Sequence, residues 1–220
     1  MYKLSPSSLH VLKDCPRCFW LQHNKNIRRP EGIFPSLPSG MDRALKEYFD
    51  SYLEKNNLPP ELEHLTGVSL FNDVEKLKIW RSNFKGISWT DKSGNILRGA
   101  IDNVLVKNNK LIILDYKTRG YPLKENTHQH YQDQLDFYNF LFRKNGYETE
   151  DYSYLLFYHP SNFDEKGKVN FNVDLVQIDV SVDNAEQIFN QAIQVLKNEM
   201  PSYSENCVYC KWLEKVTFQK

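Results

Sequence analysis

No apolar run in this 220-residue sequence approaches the ~20 residues of a membrane helix, and the first residues lack the apolar core of a secretory signal. A cytoplasmic protein is expected. Neither G-x-G-x-x-G nor G-x-x-x-x-G-K-[ST] occurs, which argues against nucleotide hydrolysis on a glycine-rich phosphate loop. Repeats and low-complexity segments are absent, so solenoids and disordered tails are not indicated. Net charge is also lacking: 28 Lys and Arg balance 28 Asp and Glu. A nucleic-acid surface would therefore have to be a local patch offset by acids elsewhere. The 10 prolines and 9 glycines are scattered through turns instead of gathered in a linker, which predicts one domain over 1–220.

Cysteine is scarce, but its placement is informative. The four cysteines form two pairs, Cys15-Pro-Arg-Cys18 and Cys207-Val-Tyr-Cys210, with metal-ligand spacing and none left over. The pairs are expected to form one site that joins the N-terminal segment 5–24 to the C-terminal segment 201–220. Zinc and an iron-sulfur cluster both suit four thiolates.

The centre of the chain is residues 98–118, RGAIDNVLVKNNKLIILDYKT. Period-two alternation puts Leu111, Ile113, Asp115 and Lys117 on one face of a strand and Ile112, Leu114 and Tyr116 on the other. Both faces begin apolar, so the strand is expected to be buried. Asn108-Asn109 is a tight turn back to a strand over 96–106 that carries Asp102. With a strand at 87–90, the three would make an antiparallel meander. A carboxylate and an ammonium at the end of a buried strand need compensation, either by pairing with each other or by a cation held between Asp102 and Asp115.

Around this centre, Pro16 is expected to kink or restart a helix over 5–24, and the basic run Lys25, Arg28, Arg29 to contact phosphate or solvent. A helix beginning near Pro38 and Ser39 carries Met41, Ala44, Leu45, Tyr48 and Tyr52, with Asp42 beside that stripe. A second helix runs over 74–84, with Gly86 as its C-cap. Residues 119–127 form a loop, 128–144 a helix, 152–158 and 170–180 strands, and 183–197 a capped helix.

Several of these stretches together resemble the RecB-like branch of the PD-(D/E)xK nucleases: Gly-Ala-Ile-Asp102, a turn, Leu-Ile-Ile-Leu-Asp115-Tyr-Lys117, then a helix with Gln134-x-x-x-Tyr138. The opening Leu-Ser-Pro-Ser-Ser-Leu, Cys15-Pro and Phe19-Trp20 is similar to the CRISPR-associated exonucleases of that branch. The resemblance implies an α/β restriction-endonuclease-like core, a mixed central sheet flanked by helices in the order αβββαβ. It implies a Mg2+- or Mn2+-dependent deoxyribonuclease acting on single-stranded DNA or duplex ends. A catalytically silent DNA-binding or scaffold module on the same fold is the alternative. Asp102, Asp115 and the Tyr116 carbonyl would hold the metal, Lys117 would orient the attacking water, and Gln134 and Tyr138 would position DNA. Relatives place a metal-binding histidine in a Gly-then-His-x-x-Leu pattern, where this chain has Gly40, Asp42 and Leu45. Asp42 would then be a further ligand, or else an acidic residue serving the first turn of its helix. Relatives carry cysteines as one plus three, whereas here they are two plus two. The resemblance favours a [4Fe-4S] cluster over Zn2+.

Overall fold

The computed structural model describes residues 1–217. The expected C-terminal segment therefore falls partly outside the described residues, at 218–220. In chain order the elements are β1 Lys3–Leu4, α1 Pro6–Asp14, α2 Pro16–Asn24, α3 Ser36–Leu53, β2 Val68–Leu70, α4 Val74–Trp80, β3 Ile87–Thr90 and β4 Ile96–Gly99. They continue with β5 Asn103–Lys107, β6 Lys110–Thr118, α5 Gln132–Lys144, β7 Tyr152–Phe163, β8 Val169–Asp179, α6 Val182–Lys197 and α7 Val208–Thr217. The fold is mixed α/β, as expected.

The larger sheet has the order β2-β5-β6-β7-β8. Its β6 and β7 are parallel, joined by a crossover through α5, and its other neighbours are antiparallel. Both faces are covered, so β6 reads as a continuous apolar run. Leu111 and Ile113 pack with Leu135 and Phe142 of α5 and with Phe189 of α6, while Ile112, Leu114 and Tyr116 pack with Leu45 and Phe49 of α3. Phe49 is fully buried; enclosing a side chain of that kind stabilises by about 1.5–3 kcal/mol. It displaces Ala44 from the expected stripe, since Ala44 faces solvent.

Local chemistry sets the element boundaries. Ser5 and Ser8 form a reciprocal capping box before α1, with Pro6 at the first helical position. Pro16 restarts the helix as α2, with Cys15 at its N-cap. Asn108 and Asn109 both adopt positive φ, at 48° and 63°, the conformation a two-residue hairpin with right-handed twist requires. The helix expected over 74–84 stops at Trp80, with Arg81 at its C-cap. Gly86 is a later turn residue whose N–H reaches back to the Ile79 carbonyl.

The meander does not form as a single sheet. β3 and β4 pair with each other and with β1 in a separate small sheet, and β5 belongs to the large one. The strand expected over 96–106 breaks at residues 100–102 because other elements take its backbone groups. Ile101 N–H donates to the Trp80 carbonyl at 3.1 Å, and the Asp102 carbonyl accepts from Arg81 Nε at 2.7 Å. Asp102 therefore sits at the joint between the sheets.

Candidate functional site

Asp102 is held from both sides of this joint. Its Oδ2 accepts from the Tyr116 N–H at 2.9 Å, which ties it to β6 beside Asp115. Arg81, besides holding the Asp102 carbonyl, pairs with both carboxylate oxygens of Asp50 on α3 at 2.8 and 2.9 Å. One guanidinium thus fixes the carboxylate-bearing joint to the neighbouring helix.

Asp115 is almost completely enclosed, with its side chain 2% exposed, and forms an ion pair with Lys117, two residues further along the same face. Burial pushes the Asp115 carboxyl up, the Lys117 charge opposes this, and the Asp102 charge adds to it, leaving its pKa at about 6. For Lys117, burial favours the neutral amine, but the charge and hydrogen bond of Asp115 together with the Asp102 charge raise the pKa. Lys117 Nζ donates to Gln134 Oε1 at 3.0 Å, and Gln134 Nε2 donates to the Tyr138 hydroxyl at 2.7 Å. The Tyr131 ring lies 4.7 Å from the same ammonium. Gly99 makes room for this network: a Cβ there would lie 2.9 Å from Tyr138 Cε1. Asp115, Lys117, Gln134 and Tyr138 form a single connected chain.

Asp42 joins from α3 through a residue that sequence reasoning missed. Lys46 Nζ contacts both Asp42 oxygens, at 2.7 and 2.8 Å, and Asp102 Oδ1 at 3.1 Å. Because α3 begins at Ser36, Asp42 lies beyond the first turn, where the helix dipole acts. The helix-end reading of Asp42 is therefore overturned. Exposure rises from Asp115 through Asp102, at 17%, to Asp42, at 43%, so the site opens along α3. On the α5 side, a cleft of about 300 Å3 lined by Ser7, His10, His130, Tyr131 and Gln134 adjoins the Lys117 network.

The carboxylates suit a hard divalent cation. Asp115 Oδ2 is buried and lacks a hydrogen-bond partner of acceptable angle, although the Lys117 ammonium lies against it. The Asp102 charge acts on the Asp115 carboxyl, and carboxylate oxygens are the donors that magnesium or manganese takes.

The four cysteines do converge. Cys18 Sγ lies 3.6 Å from Cys207 Sγ and 3.7 Å from Cys210 Sγ, Cys15 Sγ lies 3.9 Å from Cys210 Sγ, and all four lie within 4.8 Å of one another. Thiolates about 2.3 Å from one tetrahedral ion stand about 3.8 Å apart. A cube of four irons would spread its thiolates further. Arg29, expected at phosphate or in solvent, instead pairs with Asp14 at 3.0 Å and lies beside Cys18, over the Tyr209 ring. Burial raises the Cys207 thiol, but hydrogen bonding from the Cys210 backbone and the neighbouring thiols brings it down to about 7. Arg17 Nε also donates to the Pro201 carbonyl, so α2 grips the C-terminal segment beside the thiols.

Residues 35–214 match the family described as the PD-(D/E)XK nuclease superfamily. The chain belongs to that superfamily, whose members are nucleases that use divalent metals. Cys15 and Cys18 lie outside the matched segment, whereas Asp42, Asp102, Asp115, Lys117, Gln134 and Tyr138 lie within it. A solved structure described as "Crystal structure of SSO0001" is similar at 14% identity and a TM-score of 0.41, over 96% of this chain and 84% of that one. No curated protein matches. Among the described residues, no helix is long and apolar enough to cross a membrane.

Proposed function

We propose that this protein is a metal-dependent deoxyribonuclease of the RecB-like branch that processes single-stranded DNA or duplex ends as an exonuclease. The observation that carries this reading is the Asp115–Lys117 pair at the end of buried β6, with Asp102 pinned beside it and Asp42 brought in from α3. Asp42, Asp102, Asp115 and the Tyr116 carbonyl would hold magnesium or manganese, which would supply charge neutralisation at the phosphoryl oxygens and activation of the attacking water.

The remaining chemistry belongs to the side chains. The Lys117 ammonium donates to the attacking water and opposes the negative charge that grows on the phosphate. Gln134 fixes that ammonium, and the Tyr138 hydroxyl in turn orients Gln134, so Lys117 stays in place as substrate enters. The adjoining cleft with Ser7, His10 and His130 is the entry for the strand.

The cysteine site is structural and clasps α2 to α7. Contact between the sulfurs favours one zinc ion over the [4Fe-4S] cluster that family resemblance suggests.

The test is cleavage of labelled single-stranded and duplex DNA with Mg2+, Mn2+ or EDTA, using protein purified without air. Products should appear with either metal and not with EDTA. A protein that binds DNA but never cleaves it would be the silent module instead. Metal analysis of the same sample should find about one zinc per chain and no iron; a brown protein with iron and sulfide would select the cluster.

A further inference from the structure

Lys46 sits where a cation would be expected. It bonds both oxygens of Asp42 and the one oxygen of Asp102 that the Tyr116 N–H leaves open. An ordinary i,i+4 surface pair would involve Asp42 alone and remain in solvent. Here the Lys46 side chain is only 23% exposed, and its ammonium bridges two elements that meet at the site, α3 and the joint before β5.

Charge counting decides what this arrangement does. Three carboxylates and the ammoniums of Lys46 and Lys117 leave the site with one net negative charge. A divalent ion in place of the Lys46 ammonium makes it neutral. A divalent ion added with Lys46 still in place makes it positive in a half-buried setting, and the oxygens the ion needs are already taken. Ion and ammonium therefore compete for the same donors.

We propose that Lys46 is a built-in counter-cation that holds Asp42 and Asp102 in the metal-free protein and must be displaced for a divalent ion to enter. This rests on the reading of Asp42 and Asp102 as ligands. The lysine is a positioning residue: it keeps the carboxylates together without an ion and sets the concentration of metal at which the site fills.

Calorimetric titration of the whole protein with Mn2+ tests the proposal, comparing the unaltered chain with Lys46→Met and Lys46→Gln. Both variants should bind Mn2+ about tenfold more tightly. Their melting temperatures should fall below that of the unaltered protein in EDTA and recover in Mn2+. Equal or weaker Mn2+ binding overturns the proposal while leaving the nuclease reading intact, and so does an equal melting deficit with and without Mn2+. Absence of Mn2+ binding in every chain overturns both. If neither variant folds, amine labelling of the unaltered protein, read by mass spectrometry, decides. Lys46 should react faster with Mg2+ than with EDTA, and equal rates would overturn the displacement.

Discussion

The proposed carboxylate site and the four-cysteine cluster could each hold a metal, yet they rest on different supports. Asp42, Asp102 and Asp115 are neutralised in all but one charge by Lys46 and Lys117, and their positions are set by Arg81, the Tyr116 N–H and Gln134. The four cysteines come from opposite ends of the chain, and Arg29 is the cation placed against them, beside Cys18. The first site can assemble without its ion and fill later. At the second, an ion would do the assembling, because thiolates brought together without one would repel. A catalytic metal needs a site that it can enter and that substrate can reach, whereas a structural metal needs only to stay.

Each prediction sharpens or breaks that contrast. Asp115→Asn and Lys117→Ala should each lower DNA cleavage by about 10^3-fold or more, with circular dichroism still showing the folded chain. Activity that survives either change would remove the pair from the chemistry. Cys15→Ser or Cys207→Ser should speed amide exchange in α1, α2 and α7 about a hundredfold while sparing β5 and β6. If the central strands loosen equally, the cysteine site supports the whole fold and the contrast fails.

The third prediction concerns pH. If Asp115 is a metal ligand, as proposed, its carboxyl, raised to about 6, must be ionised to bind, and protonation would compete with metal as pH falls through 6. Mn2+ affinity should be about tenfold weaker at pH 5 than at pH 7.5; an unchanged affinity would place Asp115 outside the metal shell. Asp42 is the most exposed of the three carboxylates, so the smallest effect belongs to it. Asp42→Asn should weaken Mn2+ binding by about fivefold, and Asp42→His should restore it. Failure of both variants to alter metal dependence would remove Asp42 from the site.

The parts of the molecule legible in the sequence are those determined by near neighbours. Alternation in β6, the Asn108-Asn109 turn and the four-residue spacing from Gln134 to Tyr138 all act within a few residues, and each appears where the pattern puts it. The break at residues 100–102 was not legible, because its cause lies in Trp80 and Arg81, whose bonds replace a strand ladder that the local sequence would otherwise favour. Lys46 was partly legible: its spacing from Asp42 was visible, but the approach of Asp102 is a product of tertiary structure. Arg29 shows the limit of reading charge runs, since nothing in Lys-Asn-Ile-Arg-Arg distinguishes a guanidinium bound for solvent from one bound for a thiol.

The clasp between the chain ends also imposes an order on the protein's synthesis. Cys18 and Cys210 meet across a sequence separation of 192 residues. At ribosomal speeds, the first thiol pair waits roughly 10–40 s for the second to be made. Through that interval the nascent chain carries a half-finished chelator, open to oxidation or to the wrong ion, while the residues of β5 and β6 are already available to pair. The nuclease core can therefore form before the clasp closes, and loading of an ion on the four cysteines would be a late event in the life of each new molecule.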